Sequence, residues 1–146
     1  MVSGYKVIKD QIVAILGGVS ILKVVYGKEE KAIKAFPAAC ISAKEDTEEF
    51  NSVGSGGSNE AKYSLFIRLY FRTDEANDPD YEDILEGVAD SVKQALRSNI
   101  TLNNTCEYAL PVSGTWMDGQ KEAPVRVYQM VETAIVHMKR DTGELV

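Results

Sequence analysis

The sequence predicts an α+β protein: a mostly antiparallel or mixed β-sheet, two main helices packed on one of its faces, and a long hairpin arm. Three observations lead there. Apolar residues recur at helical spacing in two stretches, residues 8–16 and 84–96. They alternate with polar ones through residues 62–72 and again through 125–138. Strands also follow one another along the chain with only two helices among them, which favours helices segregated to one sheet face over a doubly wound βαβ array.

The first element reads as a helix because Ile8, Ile12, Ile15 and Leu16 form one apolar stripe while Lys6, Lys9 and Asp10 point elsewhere. Gly17-Gly18 is expected to stop it through a left-handed residue. Residues 19–26 are rich in β-branched side chains and predict a loop and a short strand, and residues 28–34 a charged connection. A strand follows over residues 36–43, with Pro37 near its start, where a missing N–H is tolerated. Residues 44–60 are polar, with the acidic run Glu45-Asp46-Thr47-Glu48-Glu49 and a Gly/Ser stretch over residues 53–58. The segment before them is too small to hold its own core. The chain is therefore read as one domain, 1–146, with a flexible arm at about 44–60 and a loose tail at 139–146.

In the strand over residues 62–72, Tyr63, Leu65, Ile67, Leu69 and Phe71 share one face; Lys62, Ser64, Arg68 and Arg72, with Phe66 and Tyr70 among them, share the other. One face is core and the second is mixed, as in a sheet covered on one side. The second helix is capped by Asp78 or Asp80, with Pro79 in the first turn and Glu82 and Asp83 complementing its dipole. Its stripe is Ile84, Val88, Val92 and Leu96, widened by Leu85, Ala89 and Ala95, and Asn99 ends it. A strand over residues 105–115, a turn-rich loop over 116–124 through Asp118-Gly119, and a long strand over 125–138 complete the order. No internal repeat is present.

Composition excludes several classes. Of the 146 residues 45% are apolar and 26% charged, the balance of a folded soluble domain. A net charge of −6 argues against broad phosphate neutralisation on nucleic acid and against anionic membranes. The longest uncharged apolar stretch, residues 11–22, is too short to span a bilayer. With Asp10 and Lys23 at its edges and no small-residue cleavage site, it is not expected to be a leader peptide either. Cys40 and Cys106 have no metal-ligand spacing and read as two buried thiols in a reducing compartment. The sequons at Asn99 and Asn103 are then chance matches.

No catalytic, cofactor or metal set is expected. His137, the single histidine, has no Ser, Cys or Asp at a recognised motif spacing and reads as a packed or solvent-facing strand residue. Glu45, Asp46, Glu48 and Glu49 lack the alternating ligands and central glycine of a calcium loop. The Asp74-Glu75-Ala76-Asn77-Asp78 cluster is explained by the helix start. Gly54-Ser55-Gly56-Gly57 lacks the Gly-Lys-Ser/Thr ending and following helix of a phosphate loop. Trp116, beside Met117, is either a loop residue folded over the core edge or an interface anchor.

In order and spacing, the chain resembles the tail terminator (tail-completion) family of long-tailed bacteriophages. The resemblance rests on an N-terminal helix leading to Val24-Val25-Tyr26-Gly27, Phe36-Pro37-Ala38-Ala39 at a strand start, and a Gly/Ser interruption. It continues with Tyr63-Ser64-Leu65-Phe66-Ile67, then Ile84-Leu85-Glu86-Gly87-Val88-Ala89-Asp90-Ser91-Val92, Leu102 after Asn99, and Val125-Arg126-Val127-Tyr128. No one of these motifs is diagnostic alone.

The resemblance implies a virion protein of the tail or neck, assembled in the host cytoplasm. It would form a homo-oligomer, a hexameric ring, that ends tube polymerisation and joins the tail tube protein to the head-side connector. DNA would pass through without specific binding, with no membrane, cofactor or enzymatic step involved. Glu45, Glu48, Phe50, Val53, Trp116 and Met117 are the candidate contacts with a neighbouring subunit or the tube. Asp46, Glu49, Asp74 and Glu75 are candidates for an acidic lumen or surface. The competing readings are another neck component (a head-closure or connector-adaptor protein), a small cytoplasmic enzyme or ligand-binding domain, and a regulatory module that pairs through an edge strand.

Overall fold

The computed structural model describes residues 4–50, 58–74 and 76–139. The elements run α1 (Gly4–Gly17), β1 (Val24–Tyr26), β2 (Ala38–Phe50), β3 (Ser58–Arg72), α2 (Tyr81–Arg97), β4 (Tyr108–Gln120) and β5 (Pro124–Lys139). The five strands form one sheet in the order β1-β2-β3-β5-β4. Only β1 and β2 pair in parallel; the other three ladders are antiparallel. The fold is α+β, with helices packed on a mixed sheet.

Alternation along β3 decides the layers. Ala61, Tyr63, Leu65, Ile67, Leu69 and Phe71 are buried against Ile8, Ile12 and Leu16 of α1 and Leu85, Val88, Val92 and Leu96 of α2. Register carries the same face into Tyr128, Met130, Ala134 and Val136 of β5. Among the described residues, no helix covers the opposite face. The turn between β1 and β2 folds over one end of it, where Tyr26, Ile33 and Phe36 pack against Cys40, Tyr70, Val125 and Val127.

Gly4 of α1 lies tight against Tyr63: a Cβ there would be 2.5 Å from the end of its ring. Its end departs from expectation. Neither Gly17 nor Gly18 adopts a left-handed conformation. The helix instead tightens, with Gly18 N–H donating to Ile15 O and Val19 N–H to Leu16 O, which satisfies carbonyls a helix end leaves open.

Two further expectations need correction. Ile84 is 48% exposed, and the stripe of α2 is set by Tyr81, Leu85, Val88, Ala89, Val92 and Leu96, rotated off the expected line. Of the two expected caps, Asp78 serves: its side chain accepts the Asp80 N–H and its carbonyl the Tyr81 N–H, while the Asp80 side chain makes no cap. Residues 116–120 are strand, so the turn is confined to residues 121–123, because Trp116 and Met117 each find a partner face of the sheet.

The expected hairpin arm is described in part. Glu45–Phe50 continue β2 in register with Asn59–Ser64 of β3, so this part of 44–60 is a paired ribbon; residues 51–57 lie outside the described residues. A register shift between Ala43 and Glu45 exchanges the faces, so that Asp46 and Glu48 come to the helix side. Lys139 closes β5 and the rest of the expected tail lies outside the described residues. Residues 102–104 between α2 and β4 carry three consecutive positive φ angles, 47°, 59° and 66°. The Asn99 side chain anchors this turn by accepting the Asn103 N–H, while Leu102 is drawn fully into the core.

Candidate functional site

The terminal position of β4 makes it the feature with most to offer a partner. Its residues, Val112 excepted, pair with β5 and with no other strand; on the open side the Ala109 N–H is taken by Ile100 O, and no strand pairs with the rest of that row. Pro111 is tolerated there because an edge strand needs no donor on its open side. The register shifts between Pro111 and Ser113, so Val112 bulges. Tyr108, Leu110 and Val112 are 46%, 41% and 61% exposed, an apolar run on an open edge. The opposite side of the sheet differs in chemistry. Beyond Cys40, β2 pairs with β3 alone, and that stretch carries the exposed charges Lys44, Glu45, Asp46 and Glu48.

The residues singled out by sequence do not form one patch. Glu45, Asp46 and Glu48 lie exposed on the distal part of β2; Asp46 accepts the Tyr5 hydroxyl at 3.1 Å and Glu48 accepts from Asn59 at 2.8 Å. Burial and the Asp46 hydrogen bond push the Tyr5 hydroxyl up to about 12. Glu49 and Phe50 stand opposite Glu60 and Asn59. Val53 and Glu75 lie outside the described residues. Asp74 is at the other end of the sheet, paired with Arg72.

Trp116 packs inward, 4.6 Å from the Tyr128 ring centroid and 5.9 Å from that of Phe71, with the Arg126 guanidinium over it. Met117, its neighbour, packs on the opposite face with Tyr70 and Val127. Trp116 is thus half-buried and folded over the core edge. Sequence reasoning missed Tyr108, Leu110 and Val112, although an apolar alternation flanking a proline was the available signal.

Three groups carry distinctive electrostatics. Glu29 accepts from Tyr70 at 2.7 Å, Arg68 at 3.0 Å and Lys121 at 3.0 Å. Burial raises its pKa, but these donors together outweigh that and hold the carboxyl below its ordinary range. Glu132 is fully buried on the helix side of β5 and neither of its oxygens has a hydrogen-bond partner. Burial alone pushes its pKa up to about 8. The two cysteines are free; Cys40 is buried and Cys106 half-buried, and burial first, then the nearby Glu132, lifts the Cys106 thiol to about 11. His137, expected as an ordinary strand residue, meets Glu107 with Nε2 and Oε1 2.6 Å apart. Among the described residues, Glu60, Glu107 and His137 are the group whose donor atoms converge.

The clefts are shallow. One of about 460 Å³ is lined by Lys34, Phe36, Arg72, Asp74 and Val125, and another of about 430 Å³ by Asp78, Tyr81, Asp118 and Arg126. Two charged pairs lie in their linings: Arg72 with Asp74, and Arg126 with Asp118 at 3.3 Å. No helix among the described residues is long and apolar enough to cross a membrane. A scan against protein-family models finds no match, and no curated protein matches the chain.

Proposed function

We propose that this protein is a ring-forming structural component of a phage tail, of the tail terminator kind, acting by subunit contact with no bond made or broken. The observation that carries the self-assembly is β4, a thirteen-residue edge strand displaying Tyr108, Leu110 and Val112 to solvent. An apolar open edge is a hazard in a lone subunit and is relieved when a neighbour covers it. The two sides of the sheet also differ, one apolar and one charged, and a head-to-tail contact between unlike surfaces generates closed rings when the rotation closes. Six copies at −6 would carry 6 × (−6) = −36 formal charges. Such a ring lets DNA pass without adhering wherever those charges face the lumen.

Light scattering of the purified chain, followed by negative-stain imaging alone and with tail tubes, tests this. Rings of six, or hexamers at tube ends, are expected, and Leu110→Glu with Val112→Lys should convert them to folded monomers. A monomeric wild type that neither forms rings nor caps tubes refutes the proposal. Tight binding of the ring to double-stranded DNA at low salt would refute the passive lumen alone.

A further inference from the structure

We propose that Glu60, Glu107 and His137 form a binding site for a divalent transition-metal ion of the zinc type, independent of the assembly reading. Each side chain offers one donor atom, and the three atoms lie within 4.8 Å of one another. They come from separate stretches of chain. Glu60 on β3 and His137 on β5 are direct partners in the antiparallel ladder. Glu107 immediately precedes β4 and is fastened by its backbone N–H to Ile135 O at 2.8 Å. Glu60 and His137 are thus held at strand spacing, and Glu107 is tied to β5 by a main-chain bond at the entry to β4.

The donor set selects the ion. Carboxylates alone would suit calcium or magnesium, which take oxygen ligands; the imidazole nitrogen of His137 shifts the preference to zinc and its neighbours in the transition series. Zinc bonds to imidazole nitrogen and carboxylate oxygen of about 2.0–2.2 Å place tetrahedral ligands about 3.3 Å apart. That spacing lies between the 2.6 Å His137–Glu107 contact and the 4.8 Å limit of the group. Small rotations of the two glutamate side chains therefore reach it, and Glu107, 49% exposed, has room to turn. Charge points the same way. Two carboxylates carry a formal charge of −2, which a dication bound beside the neutral imidazole balances to zero. Three protein donors also leave a coordination position for water or a partner's side chain, as in open zinc sites. Sequence spacing hid the set, because β5 brings it together by lying between β3, which carries Glu60, and the start of β4, which Glu107 precedes.

Calorimetric titration of the metal-free full-length chain with Zn²⁺, and with Co²⁺ followed by visible absorption, tests the site. One ion per chain at micromolar affinity, with the intense absorption of four-coordinate Co²⁺, is expected. His137→Ala and Glu107→Gln should each weaken binding by about tenfold or more, a loss typical of disturbed metal sites, whereas Cys106→Ser should leave it unchanged. Circular dichroism of each variant checks folding; should His137→Ala fail to fold, Glu107→Gln decides. Absence of stoichiometric binding at millimolar Zn²⁺, or binding unaffected by Glu107→Gln, overturns the proposal. Ring formation is scored separately, so either conclusion can fail without the other.

Discussion

Glutamine in place of Glu132 probes the group that burial treats most harshly. Its carboxyl is fully enclosed, unpartnered and held at a pKa of about 8 against an ordinary 4.5. The folded chain therefore favours the protonated form and the unfolded chain the ionised one. Below pH 4.5 both states keep the proton and no penalty arises; stability falls as pH rises from there and levels off above pH 8. At pH 7 the penalty is about 3 kcal/mol, from roughly 2.5 pH units at about 1.4 kcal/mol each. Between pH 5 and pH 8 the loss is of the same order, about 3 kcal/mol, equivalent to about 10 °C in Tm for a domain of this size. Glutamine keeps the shape and removes the titration, so its stability should stay level where the wild type declines. Urea unfolding at unit pH steps from 5 to 8 reads both lines, and their difference cancels titrations common to the two proteins. Parallel lines would show that water or rearrangement already relieves the carboxylate, and the reasoning would fail.

Other perturbations have equally definite outcomes. Gly114→Ala places a Cβ 1.8 Å from the Tyr128 hydroxyl, itself pinned by Trp116, so a loss of about 1–3 kcal/mol is expected in chemical denaturation. Glu29→Ala removes the acceptor shared by Tyr70, Arg68 and Lys121 and should cost about 1–2 kcal/mol, the lower part of the range for charged hydrogen bonds because the group is partly solvated. Since the Glu29 pKa is lowered, its stabilisation is present above pH 4.5 and is lost as pH falls below it; the variant should show a shallower acid-unfolding curve there. Cys106, held at about 11, and buried Cys40 should alkylate slowly at pH 7.5 in the native protein and rapidly in denaturant, as thiol labelling with mass spectrometry would record.

Local pattern alone determined the element order, the two helices and the core face of β3, because alternation and helical spacing are properties of neighbouring residues. Tyr63, Leu65, Ile67, Leu69 and Phe71 could be assigned to one face from their parity, and they pack there together. Side-chain identity could not locate what depends on distant pairing. Asp118-Gly119 predicts a turn by residue type, yet pairing with Arg126 and Val125 keeps both residues in β4. The face assigned to Ile84 was displaced because two helices share the sheet, and only their packing sets which side of α2 turns inward. The open edge of β4 exists because β5, last in the chain, inserts between β3 and β4. The same insertion encloses Glu132 and carries His137 to Glu60 and Glu107. Residues some thirty to eighty positions apart become neighbours through strand order, which periodicity does not encode.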